Sequence, residues 1–295
     1  MDAMPGPLLP VSTFLAASPH ARRGAALDLG YGRSTTVWSN RDAQVRYEGL
    51  SGHTLSLYTR GGSGTRRIDR GAKAAGVDRG WQGAICLMPQ GQVSEWEISE
   101  RFEFFHLHLP DEELRLAYSE ICGRDARGLA LADLTYIDAP RMIAPFRALW
   151  AATEAADPFA AETAMSELLA SLFADSHLGA PVAGPLSGGL APRKLRLLTE
   201  HIEAHLDQPI HLRDLARLAG LSEFHLQRSF RATAGISPHR WILHRRIERA
   251  KSRIRAGRPL LEIALDCGFD SHSHFSRAFK SATGATPGQY RRLSA

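Results

Sequence analysis

Leu212-Arg-Asp-Leu-Ala-Arg-Leu-Ala-Gly220 and Leu260-Leu-Glu-Ile-Ala-Leu-Asp-Cys-Gly268 are two copies of one pattern, placed 48 residues apart. Each copy spaces its apolar residues as a short helix does and ends on glycine, which tolerates the positive φ of a sharp turn. An apolar residue and then a serine follow each glycine closely, and the serine can cap the next helix. The repeat therefore predicts two helix-turn-helix units, at about residues 212–233 and 260–283.

The second helix of each predicted unit has one apolar edge and one polar edge. Downstream of the turn the copies align at an offset of 49, so that Arg228 matches Arg277 and Phe230 matches Phe279. Leu226 and Phe230 lie four residues apart and share a helix face, which leaves Arg228 pointing outward. A surface charge or an internal salt bridge is the alternative for either arginine alone. A matched arginine in both copies favours a shared role in binding.

Residues 237–256 (SPHRWILHRRIERAKSRIRA) lie between the two units and predict one long helix. Ser237 is placed to cap it, Pro238 suits its first position, and Gly257 ends it. One face is apolar, and the opposite face is expected to be a solvated basic surface. The apolar residues are Leu243, Ile247, Ala250 and Ile254; the basic ones are Arg245, Arg246, Arg249, Lys251, Arg253 and Arg255. Twenty helical residues span about 30 Å, close to the roughly 34 Å between successive major-groove faces of DNA.

Charge divides the chain into an acidic front and a basic back. From Arg193 onward there are 19 basic and 9 acidic residues, a net charge of +10, whereas the first 192 residues carry 17 basic and 22 acidic residues, −5. This switch favours a nucleic acid as the partner of the back half. The three cysteines are scattered without a CxxC pair, which is typical of a reducing compartment. With no long apolar segment and no basic leader, we expect a cytoplasmic protein.

Residues from about Leu195 to Arg292 resemble the DNA-binding module of the AraC/XylS family of bacterial transcription regulators. The resemblance lies in LARLAGLSEFHLQRSFRATAGISPHRWI, in the Arg-rich helix that follows, and in IALDCGFDSHSHFSRAFKSATGATPGQYRR. Family membership implies that both recognition helices enter the major groove of double-stranded DNA. The implied base-reading residues are Phe224, Gln227 and Arg228 in the first unit and His272, Ser273, Ser276 and Arg277 in the second. The expected phosphate contacts are Arg231, Arg246 and Lys280.

Three histidines depart from the pattern of many relatives. His211 stands where a capping serine is usual, so the first short helix is expected to be weakly capped. His272 and His274 are unusual in the second recognition helix, and the family's base preference there cannot be transferred.

The front of the chain predicts a different architecture. Residues 33–109 alternate short apolar runs with glycine-rich turns, which is typical of a β-sandwich or barrel, and three helices are expected at 111–122, 140–155 and 158–178. The predicted fold is therefore α+β with two domains. The family resemblance implies that a cupin-like β-barrel with flanking helices, used for sensing or dimerisation, occupies 1–180, and that an all-α double helix-turn-helix domain occupies 194–295. The Gly/Pro-rich residues between them, 181–193, form the predicted linker.

Several aromatic residues of the front domain are candidates for an effector cavity. These are Tyr58, Trp81, Trp96 and Phe104, with His106 as a polar group, although the aromatic residues equally suit an ordinary core. Met88-Pro-Gln-Gly91 resembles a cupin turn, but Ser94 stands where metal-binding cupins carry a histidine. We therefore expect no metal at His106 and His108, and no other cofactor.

The expected partners follow from this domain plan. They are promoter or operator DNA, a second copy of the chain in a homodimer, a small-molecule effector, and RNA polymerase if the protein is an activator. The sequence has no GxSxG motif and no glycine-rich phosphate loop, so an enzyme is not expected. Two alternatives stay open: a cupin-type oxygenase or isomerase fused to a DNA-binding module, and a front domain that only oligomerises.

Overall fold

A computed structural model describes residues 9–69, 78–175, 177–181 and 188–294 of the chain. The described residues form two compact units. The first contains residues up to Asp28, residues Gly32–Leu114 and residues Ala130–Ala180; the second contains Leu29–Tyr31, Arg115–Leu129 and the residues from Pro181 onward. Two short segments from the front of the sequence thus belong to the second unit.

Strands dominate the first unit, as the glycine-punctuated sequence predicts. Residues 182–187 of the predicted linker lie outside the described residues. The strands are β1 Arg22–Gly30, β2 Arg33–Asn40, β3 Ala43–Tyr47, β4 His53–Arg60, β5 Thr65–Arg67, β6 Ile85–Met88, β7 Ser94–Ile98, β8 Phe102–Leu109, β9 Leu129–Leu131, β10 Leu134–Ile137 and β11 Gly179–Pro181. Strands β1 and β10 extend the β region beyond the predicted limits of 33 and 109 on both sides.

The strands are divided among three sheets. A six-stranded sheet has the order β1-β2-β8-β4-β6-β10, a three-stranded sheet has the order β3-β7-β5, and β11 pairs with β9. Strand β8 is central, antiparallel to β2 from Ser34↔His108 to Asn40↔Phe102 and to β4 on its other side. Within the described residues these sheets do not close into one barrel, so the predicted cupin-like barrel is not confirmed.

An aromatic core joins the six-stranded and three-stranded sheets. Trp38, Tyr58 and Phe104 of the larger sheet share one buried cluster with Tyr47 and Trp96 of the smaller sheet. The rings of Trp96 and Tyr136 (from β7 and β10) meet edge to face at 6.0 Å. Alternate residues of each strand point to one face, so the apolar alternation of the sequence becomes a buried interface between two sheets.

Four helices accompany these strands in the sequence: α1 Val11–Ala17, α2 Asp111–Cys122, α3 Pro140–Glu154 and α4 Pro158–Ala174. Helices α2 and α3 match the predicted ranges closely, and α4 ends four residues earlier than predicted. Asp157 begins α4 by accepting hydrogen bonds from the backbone N–H groups of Phe159 and Ala160, and Pro158 occupies the first helical position. The sequence signals for the helix starts were therefore reliable.

The remaining seven helices that are described lie in the second unit. They are α5 Pro192–Ala204, α6 Leu212–Ala219, α7 Glu223–Ala234, α8 Pro238–Arg255, α9 Leu260–Asp266, α10 His272–Thr283 and α11 Pro287–Ser294. Across the described ranges, no helix combines the length and the apolar character that crossing a bilayer requires.

A buried arginine on β5 ties together polar groups from distant parts of the first unit. The Arg67 side chain is 2% exposed, and its guanidinium lies 2.8 Å from Asp69 and 2.6 Å from Asp133. It also donates a hydrogen bond to Thr135 at 3.0 Å and stacks 5.8 Å from the Trp96 ring centre. Burial acts to raise the pKa of Asp69, but hydrogen bonds from Arg67 and from the Glu95 backbone outweigh it and hold that pKa below its usual value.

Replacing Arg67 with Met is expected to lower the free energy of unfolding by about 3–5 kcal/mol, because it leaves two partly buried carboxylates without their cation. Urea denaturation followed by tryptophan fluorescence measures the change. The control is Arg66→Met on the same strand, whose half-exposed ion pair with Glu97 contributes at most about 1 kcal/mol. Equal effects of the two substitutions would contradict this prediction.

Candidate nucleic-acid interface

The first helix-turn-helix unit is formed by α6 and α7. Gly220 ends α6 with a φ of 61°, and Ser222 then caps α7 by accepting a hydrogen bond from the His225 N–H at 3.3 Å. His211 precedes α6 without a side-chain capping bond, as the sequence predicts. Leu226 and Phe230 are fully buried, so the opposite face of α7 is the one presented to solvent.

The second helix-turn-helix unit, formed by α9 and α10, repeats this arrangement. Gly268 follows α9 with a φ of 73°, and Ser271 caps α10 through a 3.1 Å bond from the His274 N–H. A β-carbon on Gly268 would lie 2.2 Å from the Leu206 carbonyl oxygen. Glycine is therefore required here for its backbone conformation and also for lack of space.

Aromatic pairs show that the sequence repeat is a structural repeat. Phe230 meets Trp241 edge to face at 5.8 Å and 77°, and their counterparts Phe279 and Tyr290 meet at 5.3 Å and 80°. Gly235 and Gly284 end the two recognition helices with φ angles of 84° and 74°. Residues related by the offset of 49 therefore occupy equivalent places, and Arg228 and Arg277 are equivalent positions on α7 and α10.

Most of the predicted DNA-contacting residues on α7 and α10 are exposed. Phe224 is 70% exposed, which is unusual for a large apolar side chain. The other exposed ones are Gln227, Arg228 and Arg231 on α7 and His272, Ser273, Arg277 and Lys280 on α10, while Ser276 is half-buried. The structure thus places the predicted side chains on the outward faces of two equivalent helices.

The basic side chains of α8 do not form the solvated surface that the sequence predicted. Lys251 is buried and lies 2.7 Å from Glu248, and Arg249 donates to the Glu203 carbonyl at 3.0 Å. Arg245 pairs with Glu203 and Glu120, and Arg253 pairs with Asp266. Of the six predicted cations, Arg255 is the exposed one. The reason for the difference is that acidic and carbonyl groups from α2, α5 and α9 surround α8, which the sequence pattern of one helix does not reveal.

Arg246, expected to contact phosphate, is half-buried and donates two hydrogen bonds to backbone carbonyls. Its Nε donates to the Leu206 carbonyl at 3.0 Å and one terminal nitrogen donates to the Gln208 carbonyl at 2.7 Å. The same guanidinium lies against Gly268. Because these donors already satisfy two backbone carbonyls, Arg246 is better explained as a link between the turn before α6 and the turn after α9.

The outward arginines of the recognition helices are different. Among the described residues Arg228 forms no ion pair, and Arg277 makes a single long hydrogen bond, 3.4 Å, to the Ser273 carbonyl one turn back. Lys280 likewise has no acidic partner in the described part of the chain. Unpaired guanidinium and ammonium groups on an exposed helix face keep their donors available for an anionic or hydrogen-bonding partner.

Comparison with known proteins agrees with this geometry. The helix-turn-helix domain family matches residues 215–293. The transcriptional regulator Rob of Salmonella typhimurium is 43% identical over 101 residues, which are 34% of this chain and 35% of Rob. The regulatory protein SoxS of the same organism is 36% identical over 98 residues, which are 33% of this chain but 92% of SoxS.

The chain belongs to the AraC/XylS family of transcriptional regulators. The match spans about a third of the length of Rob. A crystal structure of a transcriptional regulator with an AraC-type DNA-binding domain from Chromobacterium violaceum is also similar, at 30% identity and a TM-score of 0.33, covering 35% of this chain and 93% of that one.

The amino-terminal compact unit of this AraC/XylS-family chain contains an interior cavity next to its aromatic core. Four of the five residues predicted for an effector cavity line it: Tyr58, Trp96, Phe104 and His106. Trp81 does not line the cavity and instead packs against the core, 6.4 Å from Tyr136. The cavity measures only about 30 Å³, about the size of one water molecule. The aromatic side chains therefore fill most of this space themselves.

Polar residues that were not predicted from the sequence also line this cavity, among them Asn40, Ser56 and Thr65. Ser56 lies two residues from Tyr58 on β4 and therefore on the same face, so strand alternation was the signal that would have found it. The His106 ring lies 4.8 Å from the Phe104 ring, tilted by 58°. Burial, with a smaller contribution from His108, lowers the pKa of His106 to about 3. Within the described residues, no three His, Cys, Asp or Glu side chains are grouped as a metal ion would require.

The buried neutral His106 is expected to make stability depend on pH. In the unfolded chain His106 is protonated below its ordinary pKa of 6.5, whereas in the folded protein its pKa is about 3. His106 therefore does not reduce the free energy of unfolding above pH 6.5. Below pH 6.5 it lowers that free energy by up to about 1.4 kcal/mol for each pH unit. Urea denaturation between pH 4 and 7 should show a shallower dependence for His106→Gln than for wild type. The exposed His177→Gln serves as control, and equal slopes for all three proteins would contradict the prediction.

Proposed function

We propose that this protein is a sequence-specific DNA-binding transcription regulator that reads two adjacent major-groove faces with α7 and α10. The observation that carries the proposal is the equivalence of Arg228 and Arg277, which are exposed on matching helices of a repeated fold without an acidic partner among the described residues. Arginine recognises guanine through two parallel hydrogen bonds, so a matched pair suits two half-sites of one operator.

Helix α8 supports the reading of two grooves by one chain. Trp241 of α8 packs on Phe230 of α7, and both α9 and α10 contact α8. Eighteen residues give α8 a length of about 27 Å, comparable with the roughly 34 Å between successive groove faces. The bonds of Arg246, Arg249 and Arg253 to neighbouring elements hold the two units on this helix.

Individual roles are proposed from exposure and residue type. Phe224, Gln227 and Arg228 in the first half-site, and His272, Ser273, Ser276 and Arg277 in the second, are the proposed base contacts. Arg231 and Lys280 are the proposed phosphate contacts, while for Arg246 we propose a structural role through its bonds to the carbonyls of Leu206 and Gln208. The amino-terminal unit is the proposed site of control by a small molecule and of homodimerisation, and RNA polymerase is a further partner if the protein activates transcription.

The first test is the substitution Arg277→Ala. Selection of bound fragments from randomised DNA supplies the operator, and fluorescence anisotropy then measures affinity. Loss of a bidentate base contact should cost about 1–3 kcal/mol and relax base choice at one position. Arg255→Ala, on the exposed end of α8, is the control and should retain that base preference. If Arg277→Ala lowers the affinity equally for every DNA sequence, Arg277 is a phosphate contact instead.

Salt dependence separates the proposed phosphate contact Lys280 from Arg246, whose guanidinium bonds to backbone carbonyls of the protein itself. Lys280→Ala should reduce the slope of log K against log salt by about 1, because one fewer counterion is released. Arg246→Gln should leave that slope unchanged while lowering the melting temperature of the free protein. A reduced slope for Arg246→Gln with an unchanged melting temperature would restore the original prediction that Arg246 binds phosphate.

A rigid link between α7 and α10 predicts a fixed spacing between the two half-sites. Inserting five base pairs between them turns one half-site to the opposite side of the duplex, and inserting ten moves it a full turn, about 34 Å, further away. Both insertions should reduce affinity to that of a single half-site. Recovery of full affinity with the ten-base-pair insertion would show that the link between the units extends, contrary to the proposal.

A further inference from the structure

Three arginines meet at one end of the six-stranded sheet. Strand β1 begins at Arg22, β2 ends at Asn40 immediately before Arg41, and β8 begins immediately after Arg101. These strands are neighbours in the order β1-β2-β8, and Asn40 pairs directly with Phe102. Because adjacent strands lie about 4.8 Å apart, the topology brings three guanidinium-bearing side chains to one edge.

These arginines surround a cavity, which we call the arginine mouth. It measures about 180 Å³ and is lined by His20, Arg22, Ser39, Asn40, Arg41 and Arg101. It is far larger than the interior cavity of about 30 Å³, and Asn40 lines both. Every lining residue of the arginine mouth is polar or basic, so it suits a charged ligand better than an aromatic one.

Much of the positive charge in the arginine mouth is uncompensated. Within the described ranges Arg22 and Arg41 form no ion pair. Arg101 lies 3.5 Å from Oε1 of Glu103, and the same oxygen lies 3.7 Å from Arg60. This concentration of cations occurs in the front 192 residues, whose net charge is −5. Mutual repulsion of the arginines is relieved most directly by a bound anion.

A buried amide among the residues that line the arginine mouth points to a ligand as well. Asn40 is 2% exposed, and its Oδ1 accepts a 2.8 Å hydrogen bond from the Arg41 N–H. Its Nδ2 has no hydrogen-bond partner among the described residues. Leaving a buried donor unsatisfied costs about 1–3 kcal/mol, and an acceptor oxygen brought by a ligand would recover that cost.

We propose that the arginine mouth binds a small organic anion with two or more carboxylates. Guanidinium groups bind planar carboxylates through two parallel hydrogen bonds, and several arginines around one cavity favour more than one negative charge. The Asn40 amide would donate to one of the carboxylate oxygens. This inference deepens the proposed function, since it names the ligand class of the amino-terminal unit.

Isothermal titration of the full chain with citrate, at constant ionic strength and without DNA, tests the proposal. Saturable binding is expected. Arg22→Gln and Arg41→Gln should each weaken it at least tenfold, and Asn40→Asp should do the same by opposing the ligand's charge. Arg60→Gln is the matched control, an exposed arginine beside Glu103 but outside the arginine mouth, and should bind citrate as wild type does.

Two outcomes overturn the proposal. One is the absence of saturable citrate binding by a protein whose melting curve shows it to be folded. The other is equal weakening by Arg60→Gln, which would mean that citrate responds to general surface charge. A parallel titration with inorganic phosphate distinguishes the ligand chemistry, because tighter binding of phosphate than of citrate would contradict a carboxylate site.

An operator titration with and without citrate keeps this inference separate from the proposed function. Citrate binding with unchanged DNA affinity would support the anion site and contradict control of DNA binding by that ligand. Citrate binding by a protein that selects no DNA sequence would support the anion site and overturn the proposed function.

Discussion

Three arginines of α8 bond to neighbouring parts of the chain, and the arrangement of the two helix-turn-helix units depends on these bonds. Arg246 bonds to the carbonyls of Leu206 and Gln208, Arg249 bonds to the carbonyl of Glu203, and Arg253 pairs with Asp266. These bonds satisfy backbone oxygens where helices end and connect α8 to the chain on both sides of it. The apolar face of α8, with buried Ile247, Ala250 and Ile254, completes the same packing.

Charge therefore has two separate uses in this domain. On α8 most basic side chains bond to other groups of the protein, whereas on the outward faces of α7 and α10 Arg228 and Arg277 have no acidic partner among the described residues. A net charge of +10 over the last 103 residues does not distinguish the two uses. The distinction comes from tertiary structure, because it depends on which carbonyls and carboxylates surround each side chain.

The sequence predicted best where the determinants of structure are local. Helix starts at Ser222, Ser237 and Ser271 and turns at Gly220 and Gly268 follow from capping and from backbone conformation, and all were placed correctly. The internal repeat also supplied the buried faces of the recognition helices, since equivalent residues must pack alike. The sheet order and the absence of a closed barrel in the described residues depend on long-range pairing, which residue alternation does not specify.

The same limit applies to the candidate sites. Lone polar residues such as Asn40 carry no signal until β2 and β8 lie side by side and bring Arg22, Arg41 and Arg101 to one edge. Trp81 was predicted to line the cavity only because it is aromatic, but its ring packs beside Tyr136 instead. Exposure and unsatisfied hydrogen-bonding capacity, which only the fold reveals, separate a binding residue from a core residue.

Gly268, pressed against the carbonyl of Leu206, has a consequence for recognition. The turn of the second helix-turn-helix unit contacts the segment just before the first helix-turn-helix unit. Arg246 donates a hydrogen bond to the Leu206 carbonyl in the same segment. A joint packed this closely has little freedom to open or close, since interiors of such density resist deformation. If both helices engage one duplex, the adjustment of curvature must therefore come from the DNA. Base pairs that no side chain touches would then influence affinity through their flexibility, with pliable pyrimidine–purine steps favoured between the half-sites.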